Sequence, residues 1–156
     1  SMVKLLRLFS FVLARFLLSA IFLASAIHKL LHWQETEKLL STTLFDWQAN
    51  VASLSPYFNR LLPWTPLLLI GATLLELIGS LLILMGVHEK IGALCLIAFL
   101  IPTTLLLHPF WMHEVGDDLQ MAMFLKNLAI LGGLLLVALQ GAQAKESPPK
   151  SPFFDG

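Results

Sequence analysis

The sequence predicts an all-α integral membrane protein: a four-helix bundle with an amphipathic helical insertion between its first and second transmembrane helices. Three observations carry that prediction. Of the 156 residues, 57% are hydrophobic and only 13% charged, against roughly 45–50% and about 25% in soluble domains. Four apolar stretches, Leu8–Ile27, Trp64–Val87, Ile91–Leu107 and Met121–Gln140, fall within the roughly 17–25 residues that cross a bilayer as a helix. The segment between the first two keeps a helical period without being apolar all round.

The first stretch follows Lys4 and Arg7 and ends near Ala24-Ser25-Ala26, which imitates a signal-peptide cleavage site. It is longer than a signal h-region and Arg15 interrupts it, so it reads as a span. Arg15, Ser19, Phe22, Ala26 and Lys29 fall on one helical stripe of it. In the segment from Gln34 to Pro63, Leu40, Leu44, Trp47, Val51 and Leu54 form another stripe, expected as one amphipathic helix that lies on the outer face or caps the bundle. The second span carries Glu76 near its middle, with Ala72, Thr73, Gly79 and Ser80 one turn away on the same face. A charge at bilayer mid-depth costs at least about 2.5 kcal/mol, so this face should meet protein. Small and hydroxyl residues around Glu76 permit close helix approach and bonds across it.

In the third span Pro102 removes one helical hydrogen bond and strips the Ala98 carbonyl of its donor. His108 stands at its outer end, before Pro109. The fourth span contributes Lys126 and Asn127, both expected to face the bundle interior. After it come Gly141, prolines and mixed charge without periodicity. Residues 1–140 therefore read as one four-helix domain and 141–156 as a flexible cytoplasmic tail, in which Phe153 and Phe154 form a candidate docking motif. Lys4, Arg7, Lys90, Lys145 and Lys150 outweigh Lys29, Lys38 and Arg60 on the opposite side. By the positive-inside rule both termini are cytoplasmic and the protein is multi-pass in the inner (plasma) membrane.

Helical counting from a common outer boundary sets Arg15 nearest in height to Glu76, so the expected structural ion pair is Arg15–Glu76, with Lys29 and Lys126 left in the outer half. The candidate ligand-binding residues are Lys29, Glu76, His108, Lys126 and Asn127. His28 and His32, one turn apart, gather at the same end with His108 and His113. Without a third ligand at a diagnostic spacing, no metal site is assigned to them. Cys95 is the only cysteine, which excludes an internal disulfide or a CxxC redox pair. With zero formal net charge and no basic run, no nucleic-acid partner is expected.

The stretches "ARFLLSAIFLASAIHKL", "LLELIGSLLILMG", "HPFW" and "FLKNLAILGGLLL" together resemble the DoxX family of small membrane proteins, departing from its second-helix glycine pair at Gly79-Ser80. The resemblance implies a four-helix membrane fold. It also implies an association, in some relatives, with quinone-linked oxidation or enzymes of oxidative stress, and in others a role as cargo receptor or chaperone. Its characteristic polar positions are Arg15, Lys29, Glu76, His108, Lys126 and Asn127. The expected function is a membrane subunit or accessory protein of a redox system, holding a quinone or other small ligand in a polar intramembrane cavity. If it is an enzyme, it is a quinone-linked oxidoreductase subunit. No redox cofactor motif is encoded, so the candidate bound molecules are a quinone or a lipid, and electrons would come from a partner protein. A homo-oligomer is compatible with this. The alternative is a non-catalytic membrane scaffold or chaperone; a haem or metal protein built on the outer histidines is a third reading.

Overall fold

A computed structural model describes residues 1–112 and 118–143, with side chains as far as Gln140. His113 with the acidic loop around it, and the tail with Phe153 and Phe154, lie outside the described residues. The helices are α1 (Met2–Leu31), α2 (Trp33–Asn50), α3 (Ser55–Leu61), α4 (Thr65–Met85), α5 (Glu89–Leu107) and α6 (Asp118–Gln143), with short 3-10 turns at Leu62–Trp64 and Phe110–Met112. No strand occurs among the described residues. The four spans α1, α4, α5 and α6 are long and apolar enough to cross a membrane. Their outward faces are apolar, with Leu74 and Leu136 exposed, as a bilayer requires and water does not favour.

Helix α1 runs unbroken because it contains neither glycine nor proline. It packs on α4, α4 on α5, and α5 on α6, while α2 and α3 pack against one another at the end where α4 begins. The core joins Phe22 of α1, Ile83 of α4, Leu96 and Leu100 of α5, and Leu134 of α6. Helices α4 and α5 approach closest at Gly79 and Gly92. A Cβ on either would stand under 3.0 Å from the other's carbonyl oxygen, so only glycine permits this separation.

Arg15 fixes the height of α1 against the turn that joins α4 to α5. Gly86 there has φ of 69° and His88 has φ of 49°, and the Arg15 guanidinium lies over Gly86, 2.1 Å from where a Cβ would be. It donates to Glu89 Oε1 at 3.1 Å. Residues 2–14, beyond this contact, are exposed.

The insertion departs from expectation in one respect. It is two helices, with Val51 extended between them, so the stripe stops at Trp47 and Leu54 precedes α3. Pro56 explains the break: it lacks an N–H and its ring would clash with the Ala52 carbonyl in a continuous helix. Trp47 still faces the bundle. Its indole stacks on Phe58 at 5.5 Å and its Nε1 donates to the Leu106 carbonyl at 3.0 Å, capping one of the free carbonyls at the end of α5. Helix α6 runs three residues into the segment expected as tail.

Candidate functional site

Helical periodicity turns the same face of α1 inward as expected: Ser19, Phe22 and Ala26 are its buried residues. On α4 the buried set includes Thr73, Glu76, Gly79 and Ser80. Where these faces meet, the Lys29 ammonium bonds to Oε2 of Glu76. Glu76 is 1% exposed and Lys29 15%, so both charges have left water. Such a pair holds only because each compensates the other's desolvation. The ammonium also sits 4.2 Å from the centroid of the Phe99 ring on α5, a cation–π contact strengthened by the absence of water.

The second carboxylate oxygen is different. Oε1 of Glu76 is buried and has no hydrogen-bond partner among the described residues. The nearby hydroxyls of α4 have committed their protons to the backbone, Thr73 to the Leu69 carbonyl and Ser80 to that of Glu76 itself. Ser25 of α1 faces the same carboxylate without a bond reaching Oε1. A buried acceptor left unmatched costs about 1–3 kcal/mol, and such exceptions are often places where something else binds.

The expected Arg15–Glu76 pair is corrected here: Arg15 pairs with Glu89 and Glu76 with Lys29. The counting assumed that α1 and α4 end at one height. Glu76 is about ten residues above Gly86, so its level on α1 is about ten residues above Arg15, at Ser25. By the same count α4 begins ~8 Å above the last turn of α1, and Lys29 therefore reaches down to the carboxylate from the next turn.

The remaining candidates do not join this pair. Asn127 is buried and its amide donates to Thr104 Oγ1 at 3.0 Å, tying α6 to α5. Its neighbour Lys126 cannot share that face, since successive residues are about 100° apart on a helix. Lys126 is exposed, with Met123 Sδ at 3.5 Å, a correction to its expected inward placement. The inward stripe of α6 is Asn127, Leu134 and Ala138. His108 meets Gln120 Oε1 at 2.8 Å and lines a crevice of about 760 Å³ at the end of the bundle, with Asp46, Trp47 and Asn50. His28 and His32 stack on each other at 4.4 Å. Among the described residues no three potential ligands gather as a metal site.

A groove of about 440 Å³ lies directly beside the buried pair, within the roughly 300–1,000 Å³ of small-molecule pockets. Leu40 and Leu44 of α2 roof it, Gly71, Ala72 and Leu75 of α4 form one wall, and Ala98, Phe99, Pro102 and Thr103 of α5 form the other. Phe99 thus borders the groove and also carries the Lys29 cation. Neither Phe99 nor Gly71 stands out in the sequence, because an aromatic or a glycine in a span is ordinary until its neighbours are known. On α5 the advance signal for this face is Pro102.

A protein-family model described as DoxX matches residues 10–109. That range takes in α1 from Ser10 onward and α2 through α5, with Lys29, Glu76, Phe99 and His108, and leaves α6 outside. No curated protein and no solved structure matches the chain.

Proposed function

Since the chain belongs to the DoxX family and is a multi-pass membrane protein, we propose that it serves a redox system as a membrane subunit or accessory protein. In this reading it holds a quinone, or an apolar ring molecule of that kind, in the groove between α2, α4 and α5. The observation that carries the reading is Phe99, which lies between the groove and the Lys29–Glu76 pair. A ring molecule stacked along Phe99 would sit one side chain away from a buried cation and a carboxylate oxygen free to accept a hydrogen bond. Behind the ring, the Lys29–Glu76 pair sets the electrostatic surroundings of the ligand, and the leucines keep water away. Electrons come from a partner protein, since the chain encodes no redox cofactor motif.

Gly71 provides the test. It lines the groove, and a Cβ built there meets nothing within 4 Å, so Gly71→Leu fills the groove without disturbing the helices. Mass spectrometry of the purified protein should find a stoichiometric quinone-like molecule in the wild type and its loss in a folded Gly71→Leu protein. Equal content in both removes the groove from the proposal, and a wild type that carries nothing and binds no added quinone ends it.

The same proposal sets the protein in the inner membrane with both termini cytoplasmic, supported by Lys4, Arg7 and Lys90 at the end of the bundle where α1 begins. In a Cys95→Ala background, Ser53→Cys between α2 and α3 should react with an impermeant maleimide from the periplasmic side and Lys90→Cys should not. The reverse pattern inverts the topology. A scaffold role has one observation in its favour, the exposed first turns of α1, and on that reading Gly71→Leu changes partner binding no more than it changes the fold.

A further inference from the structure

The groove is nearly bare of polar atoms, and those it offers are acceptors. Among the described residues Thr103 is the one lining residue with a polar side chain, and its hydroxyl proton is given to the Phe99 carbonyl at 2.7 Å. Its oxygen is left with lone pairs only. The second polar group is a backbone one. Pro102 sits inside α5 and has no N–H for the carbonyl four residues earlier, that of Ala98. Carbonyls in a helix point along the axis toward the residue four positions on, and Ala98 and Pro102 both line the groove and are exposed in it. The side chains that face it across the groove are leucines of α2 and α4, which offer it no donor. An unmatched backbone group in lipid costs several kcal/mol, unless a ligand supplies the proton.

From this accounting, which rests on the groove being the ligand site proposed above, we propose that the molecule held there is a hydroxyl donor. It would be a phenolic or hydroquinone ring on an apolar body, its O–H directed to the Ala98 carbonyl with Thr103 Oγ1 as second acceptor. A quinone in its oxidised form has only carbonyl oxygens and would meet these two acceptors with like partners. At rest the groove therefore prefers the reduced, two-hydroxyl form of a ring ligand over the oxidised form. The preference arises on α5, on the groove side of Phe99, and is separate from whatever Lys29 and Glu76 contribute behind it.

Three probes distinguish this: a benzoquinol with a ten-carbon tail, its quinone, and its bis-methyl ether, which keeps the shape and lacks the donors. Binding to the purified full chain in nanodiscs, under anaerobic conditions, should favour the quinol about tenfold over both others, as expected for one or two added neutral hydrogen bonds. Pro102→Ala returns an N–H to the Ala98 carbonyl while improving the helix, so folding is not at risk. It should bring the quinol down to the affinity of the quinone, and Thr103→Val should cause a smaller loss. Equal binding of all three probes to the wild type, or a tenfold preference retained in Pro102→Ala, overturns the donor assignment and leaves the groove as a ligand site. Failure of all three to bind, or binding unaffected by Gly71→Leu, overturns the site itself and the donor assignment with it.

Discussion

Lys29 reaches Glu76 from one turn above it, and each charge depends on the other to stay buried. Glu76→Gln leaves the Lys29 ammonium without a counter-charge, and Lys29→Met leaves a carboxylate that is 1% exposed without its cation. Breaking a buried pair from either side costs about 3–5 kcal/mol, much of it the penalty of the stranded charge. The double variant Lys29→Met with Glu76→Gln should therefore be more stable in detergent than the sum of the single losses allows, read by thermal unfolding. Arg15→Met should add independently, since its bridge to Glu89 joins partly exposed side chains and such pairs are worth at most about 1 kcal/mol. Rescue of Glu76→Gln by Arg15→Met, and none by Lys29→Met, would restore the pairing that helix counting suggests. Periodicity made both Lys29 and Glu76 legible as inward residues. The choice of partner was not legible, because it depends on the relative heights of two helices, which the packing of Phe22 against the core and the position of Arg15 over Gly86 reveal only in the folded chain.

Among the elements, α4 and α5 are held by the glycine contact, which makes a local test of the packing. Gly79→Ala would push a Cβ to 2.8 Å from the Gly92 carbonyl, and overpacking of this kind costs about 1–3 kcal/mol. Gly71→Ala, on the same helix but facing the open groove, should be neutral or stabilising by about 0.5–1 kcal/mol, since glycine is the poorer helix former. Equal destabilisation by the two, in the same unfolding assay, would mean that α4 is rotated from the orientation described. The spans themselves were readable because a bilayer admits few alternatives to a long apolar helix. Helix α6 shows the limit: Lys126 and Asn127 are adjacent, so periodicity can bury only one, and polarity alone does not say that the amide goes to Thr104 and the ammonium outward. The insertion was readable as helical up to Trp47, and its break at Val51 follows from Pro56, a residue whose effect falls on the chain preceding it.

At the scale of the whole molecule, the arrangement is three layers between lipid and charge: a leucine-lined groove, the Phe99 ring, and the Lys29–Glu76 pair. The groove could not be read from the sequence, because its walls come from four separate helices and its lining is the commonest composition a membrane protein has. Photolabelling tests this arrangement most directly. A photoreactive quinone analogue, irradiated with the protein in its membrane and mapped by mass spectrometry, should place its adducts on Leu40 and Leu44, on Leu68 to Leu75, and on Ala98 to Thr103, with competition by unlabelled benzoquinol and loss in Gly71→Leu. Competed adducts gathered instead around His108 and Gln120 at the end of the bundle, or on α6 beside Lys126, would contradict it.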